Sequence, residues 1–436
     1  MNKRRLVILI VVLALVAAFS TFSVAQDFDW RKYEGEKIRV LSIQFYYTNL
    51  IQEKLGEFEE MTGIDVNLET YSEDQFRDKI TTELIGRNKN LDVFATSPFA
   101  EGTKFTRSNW YEPLGKYIDD PEMTNPNYDP DDFIDAVWNA HVIQGERVAV
   151  PLNSVTWLLM YRKDLYEQEG LEEPETMEEL LENAKVLDEI EGVSGYVGRG
   201  RRAQAPATWG NFLGYFGGQW VAENWEGEPK PGINSPAGVG ALEFYANLMK
   251  NYANEGAATN HWYDVLSLMQ QGKAAQVIDT NAWQGSLADP EKSEVVDKVG
   301  WAPPPLAKGV SPVADLWSWS FAISPYSDTK GPSWYFIQWV TGKEMQKFIQ
   351  LKEYPTARNS AWQSDEFREI ANEDWLDATL KAFQYARPLA HPYKLSVYQE
   401  ADDTTGNAIV QVIQGQLEAE EALDQAAKEI AQVMNR

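Results

Sequence analysis

Tryptophan set among small polar residues is the feature through which this sequence offers most chemistry. The chain carries 16 Trp, 20 Tyr and 18 Phe, more tryptophan than a core requires. Trp209, Trp283, Trp317 and Trp319 stand near Gly, Asn or Ser in segments that read as loops. A flat ring face suits the axial C–H groups of a pyranose or the carbon chain of a polyol. The hydroxyls then call for amides, carboxylates and guanidinium groups around the rim. The opposing reading, packing in a core or interface, covers most of the other tryptophans.

Bond-breaking chemistry has far less support. Cysteine is absent, which removes disulfides, thiolate catalysis and cysteine metal sites. His141, His261 and His391 are too dispersed for a local metal motif. The sequence holds no Gly-x-Ser-x-Gly elbow, no His-Glu-x-x-His and no phosphate-loop or dinucleotide glycine pattern, so no cofactor is expected. A secreted glycoside hydrolase remains a rival reading, because tryptophans and carboxylates also serve polysaccharide cleavage. No two of the 66 acids can be paired at catalytic distance from sequence alone.

Placement ranks the candidates. Trp283 follows the end of an apolar strand at 274–278, and ligands in open α/β sheets sit outside the carboxyl ends of strands. Asp315, Trp317 and Trp319 lie at the entry to another strand, the two tryptophans on one face. Tyr46 and Tyr47 close the first strand, and Thr96 and Ser97 close the third, at the same sheet edge. Trp209 stands in an apparent loop with Gly210 and Gly214, without a strand or helix face to fill. Arg199 belongs to the basic cluster 198–202. It reads either as a solvated loop or as a guanidinium fork for hydroxyls or an anionic sugar group.

These residues need elements to position them. Residues 37–43 alternate as a strand, and Ile51, Leu55 and Phe58 mark a helix stopped by Gly63. A strand at 64–70, a helix carrying Phe76, Ile80 and Leu84, and a strand at 91–95 follow, so a parallel sheet covered on both faces is predicted. Strands are predicted at 147–152 and 157–161, and the short polar segment between them, with Asn153, reads as a crossing between two lobes. Thr176 with Glu179, and Thr341 with Glu344, predict capping boxes. A helix begins at Pro236, a strand runs over 318–324, another helix starts at Pro332, and the last third is mainly helical.

The first 25 residues differ from all that follows. Lys3, Arg4 and Arg5 precede the apolar run 6–19, and Ser23-Val24-Ala25 supplies the small residues a signal peptidase reads. That run is 14 residues long, short of the roughly 20 that cross a bilayer. Export as a free protein cut after Ala25 is the expectation. Without those three bases the formal charge of −27 becomes −30. Such a chain repels nucleic acid and anionic membranes, and it stays soluble in a salty medium.

Several segments in order resemble the extracellular solute-binding proteins of ABC transporters, carbohydrate-binding family 1. They are FEEMTGIDV at 58–66, LDV at 91–93, VPL at 150–152 and MYRKDLY at 160–166. QGKAA at 271–275 with Trp283, FIQWVT at 336–341, ARP at 386–388 through Tyr393, and EAL at 421–423 complete the series. The resemblance implies an α/β periplasmic binding protein of type II, with a ligand cleft between two lobes and three hinge crossings near 152–156, 312–319 and 358–366. Lobe 1 is then 26–152 plus 320–360, and lobe 2 is 157–312 plus 366–436. It also implies an aromatic stack at Trp283, contacts at the strand ends, and Arg387 in a segment most like the sugar and polyol binders. The implied partners are a carbohydrate or polyol and the permease subunits of an ABC importer with their ATPase. A monomer, free in the periplasm and without a lipid anchor, is expected.

Overall fold

The computed structural model describes residues 28–222, 230–388 and 397–434. The expected signal segment 1–25, His391 and Tyr393 lie outside them.

The N-terminal pattern forms the elements its periodicity predicts. Strand β1 (Lys37–Ile43) leads into helix α1 (Tyr46–Thr62), which buries Ile51, Leu55 and Phe58. Gly63 ends α1 at φ 73, where a side chain would strain the backbone, and donates its N–H to the Glu59 carbonyl. Strand β2 (Asp65–Tyr71), helix α2 (Glu73–Ile85) with Phe76, Ile80 and Leu84 inward, and strand β3 (Val93–Thr96) follow. β1 pairs in parallel with both β2 and β3.

The chain then visits a second sheet and returns. Strand β4 (Val150–Pro151) belongs to the first sheet; β5 (Trp157–Arg162), β6 (Gln276–Thr280) and β7 (Val299–Ala302) form the second; β8 (Ser320–Ile323) rejoins the first. The orders are β2-β1-β3-β8-β4 and β6-β5-β7. β8 runs antiparallel to β3 and β4, and the whole second sheet is antiparallel. The expected parallel sheet thus holds only for β1 to β3. A parallel neighbour needs a crossover connection back to the same end, whereas β8 re-enters directly from the other lobe.

Helices cover both sheets. In the second lobe these are α3 (Met177–Leu187), α4 (Ala205–Tyr215), α5 (Pro236–Asn251) and α6 (Trp262–Gln270). Helix α7 (Lys330–Val340) packs on β8, β1 and α1, and α8 (Lys343–Gln350) packs against α7. Helix α9 (Glu373–Phe383) packs on β5 and β7, while α10 (Tyr398–Ile413) and α11 (Ala419–Met434) pack against each other and α5. The result is a two-lobe α/β fold.

Two chain segments between the sheets run side by side. Leu152 N–H donates to the Trp319 carbonyl at 2.8 Å, and Val155 and Trp317 exchange backbone hydrogen bonds at 2.9 Å. A third passage lies between α8 and α9. Phe133 bridges Arg358 on the first-sheet side, and α9 already rests on the second sheet.

Three local readings are corrected. The strand expected at 147–152 is a short hairpin, Val142–Ile143 with Glu146–Arg147, followed by β4. The capping box at Thr176 and Glu179 forms, but the one at Thr341 and Glu344 does not. The buried Thr341 hydroxyl donates instead to the Ile337 carbonyl at 2.6 Å and meets the Tyr128 hydroxyl at 2.8 Å. Trp209 lies within helix α4, not in a loop. Every residue of α4 from Thr208 to Tyr215 is buried, so no apolar stripe set against a polar face marks it.

Candidate functional site

A cavity opens between the lobes where the carboxyl ends of β1, β2 and β6 meet the crossing segments. Tyr46 begins α1 after β1, and Glu73 and Arg77 project from the first turns of α2 after β2. Opposite them, Thr280 ends β6 and its hydroxyl accepts from Ala282 N–H at 3.2 Å, opening the short 3-10 turn Asn281–Trp283. That turn is clamped to the crossing, since Asn281 N–H donates to the Thr156 carbonyl at 2.8 Å. Trp283 is thereby set against the cavity by a strand end and a hinge together.

Aromatic faces from both lobes form the walls. Tyr46 stacks on Tyr354 with ring centroids 4.6 Å apart, and Trp317 and Trp319 meet edge to face at 6.2 Å. The Arg77 guanidinium lies 5.2 Å from the Trp319 ring centroid, and that of Arg199 lies 5.8 Å from Trp157. The space open to water-sized molecules is about 130 Å³. By that measure one water needs about 10–15 Å³, so the volume suits a single small solute.

The charged groups are arranged in pairs. Arg199 holds Asp279 with both arms of its fork, Nε to Oδ2 at 2.8 Å, and Asp279 is fully buried. Burial opposes the charge on Arg199, but Asp279 outweighs it and keeps the guanidinium pKa raised. Glu73 Oε1 accepts from Arg77 Nη2 at 2.8 Å, and Oε2 accepts from the indole N–H of Trp262 at 3.0 Å. Burial pushes the Glu73 carboxyl up, yet Arg77 and Trp262 prevail and hold it below its ordinary range. Arg77 also contacts Glu101. Asn153 Oδ1 accepts from Trp319 N–H at 2.8 Å.

Residues 46–347 match the model of the bacterial extracellular solute-binding protein family. The chain belongs to that family. It is similar to the erythritol/L-threitol-binding protein of Mycolicibacterium smegmatis, 27% identical over 345 residues that cover 75% of this chain and 71% of the other. The mannitol-binding protein of Pseudomonas aeruginosa is 25% identical over 385 residues, covering 84% and 85%. Among solved structures, an ABC transporter solute-binding protein from Agrobacterium radiobacter in complex with ribitol superposes with a TM-score of 0.84. Its identity is 26%, covering 92% of this chain and 99% of that one.

The cavity between the lobes gathers Tyr46, Asn153, Arg199, Trp283, Trp317 and Trp319. The other candidates lie off it. Tyr47 is the next residue of α1 and so turns a helical step away, donating its hydroxyl to the Pro355 carbonyl at 2.5 Å in the core. Thr96 meets the Tyr111 hydroxyl at 2.7 Å, and Ser97 N–H is held by Glu101 Oε2 at 2.9 Å, because the chain folds back over the end of β3. Trp209 packs edge to face on Trp220 at 5.7 Å inside the helical layer. Asp315 and Arg387 pair their backbones in a two-residue parallel ladder, where Asp315 is buried and Arg387 exposed.

Other wall residues escaped the sequence reading: Glu73, Arg77, Trp157, Trp262, Tyr398 and Asp402. Glu73 follows the carboxyl end of β2, so the rule applied to β1 and β3 reaches it too. Trp262 opens α6 behind a capping box, with His261 N–H donating to Asp264 Oδ2 at 2.8 Å. Trp157 starts β5, and because β5 is antiparallel to β6 its amino end meets the cleft. For Tyr398 and Asp402 on α10 no local pattern marks the cleft; their position depends on helix packing.

Proposed function

We propose that this protein is the capture subunit of an ABC importer, binding one sugar or polyol between its lobes and delivering it to the membrane permease with its ATPase. The observation that carries this reading is the small interlobe cavity walled by aromatic faces from both lobes, with Asn153 and Arg199 among its polar groups. Trp283, Trp317, Trp319 and Tyr46 supply the faces for ligand C–H groups, and Asn153 and Arg199 supply hydrogen bonds to hydroxyls. The names of the relatives support a polyol in particular. The moving bodies are 26–152 plus 320–360 and 157–312 plus 366–436, with crossings near 152–156, 312–319 and 358–366. Ligand contacts from both bodies favour the closed form, the hinge closure for which periplasmic binding proteins are a standing example. The protein acts as a monomer, free of lipid in the periplasm after loss of residues 1–25. No described helix is long and apolar enough to cross a membrane.

The hydrolase reading finds no support in the site, where Glu73 is held by Arg77 and Trp262, and Asp279 by Arg199. A thermal-shift screen over polyols, monosaccharides, disaccharides and oligosaccharides tests the proposal. A ligand bound by the native state alone raises Tm. A polyol or monosaccharide is expected to give the largest shift. A screen without any shift, or reducing ends released from an oligosaccharide, would overturn the reading.

A further inference from the structure

The charge of the cleft adds a discrimination to the reading above, on which it rests. We infer that the site rejects anionic ligands, because each guanidinium at its wall is already matched by a carboxylate and acid remains in excess. Asp279 takes two corners of the Arg199 fork, with the two side chains 9% and 0% exposed. Arg77 is shared between Glu73 and Glu101, both nearly buried. At the rim Asp74 pairs with Arg201 at 2.5 Å.

Three guanidinium groups, Arg77, Arg199 and Arg201, therefore meet four carboxylates, Glu73, Asp74, Glu101 and Asp279. A site built for a carboxylate or phosphate presents a fork with two free donors. Here no acceptor among the described residues takes Arg199 Nη1, and that single corner suits a hydroxyl oxygen. A ligand carboxylate placed beside it would also face Asp279, in surroundings where water screens little. The sequence left hydroxyls and an anionic sugar group open as targets of Arg199; the pairing with Asp279 favours hydroxyls.

The test is a set of isosteres differing in charge: erythritol, ribitol and D-mannitol, each with the aldonate and the 1-amino-1-deoxy polyol of the same carbon count. Affinities are measured by calorimetry on the full mature protein. For the polyol that binds best, the aldonate is expected to be weaker by at least tenfold, and weaker than the cationic amine. An aldonate within tenfold of its polyol, or as tight as the amine, overturns the inference while the polyol reading stands. If none of the neutral polyols binds, the polyol reading fails and the inference falls with it. Asp279→Asn should narrow the gap between aldonate and polyol at least fivefold by releasing Arg199. If that variant does not fold, Glu101→Gln makes the same test at Arg77. An unchanged gap in the folded variant counts against the assigned role.

Discussion

Trp283 is fully buried yet borders the cavity, so its indole belongs both to the core and to the cavity wall. Trp283→Ala should weaken binding of the ligand found in the thermal screen by about 1–3 kcal/mol, measured by calorimetry. Trp209→Phe is the matched control. It should lower Tm and leave affinity unchanged, because Trp209 packs on Trp220 away from the cavity. A different single residue makes stability depend on pH. His141 is fully buried between the Val137 carbonyl and the Ser320 hydroxyl, and burial pulls its pKa down to about 3. In the unfolded chain the imidazole takes a proton below its ordinary value of about 6.5, whereas the folded one stays neutral. The unfolded state then binds more protons, and stability falls as pH drops from about 6.5 towards 3. His141→Gln should flatten the decline between pH 6 and 5 by about 1 kcal/mol per pH unit in denaturant titrations. An unchanged slope would show that His141 titrates normally in the fold.

At the scale of elements, the capping box of α3 offers a clean measurement. Thr176 accepts from Glu179 N–H at 3.2 Å while Glu179 Oε2 accepts from Thr176 N–H at 2.9 Å. Thr176→Ala should cost about 1 kcal/mol in chemical denaturation. The same sequence signature at Thr341 fails, since the buried hydroxyl there serves the end of α7 and Tyr128 in place of the start of α8. Local pattern was legible wherever one face of an element met a core and the other met water, as in α1, α2 and α3. It was illegible in α4, which is buried throughout from Thr208 to Tyr215, and in the second sheet, where strand direction depends on connections far apart in the chain.

Across the whole molecule, polar contacts tie the lobes at the mouth of the cleft. Trp262 Nε1 donates to Glu73 at 3.0 Å, the Tyr263 hydroxyl donates to the Gln44 carbonyl at 3.1 Å, and Arg201 pairs with Asp74. Trp262→Phe leaves one Glu73 oxygen without its indole donor. It should weaken ligand affinity by about 1.5–3 kcal/mol, the range for a hydrogen bond to a charged group. Small-angle scattering should show compaction on saturation with ligand in the natural protein, and in the variant only at higher ligand concentration. No compaction at saturation in the natural protein would sink the hinge model. The half-exposed Arg201–Asp74 pair should contribute at most about 1 kcal/mol and fade with salt. From sequence alone came the α/β class, the early strand and helix order, the family resemblance, and six residues of the cavity wall: Tyr46, Asn153, Arg199, Trp283, Trp317 and Trp319. The element order and the residues at strand ends follow from spacing along the chain, which local stereochemistry translates directly into direction. Tertiary structure alone decided the rest. It brought Glu73 to Trp262 across the cleft, turned Tyr47 inward, and paired Arg199 with Asp279 80 residues away. Charge balance and wall composition are sums over side chains that meet only when the two lobes pack, so no window along the sequence contains them.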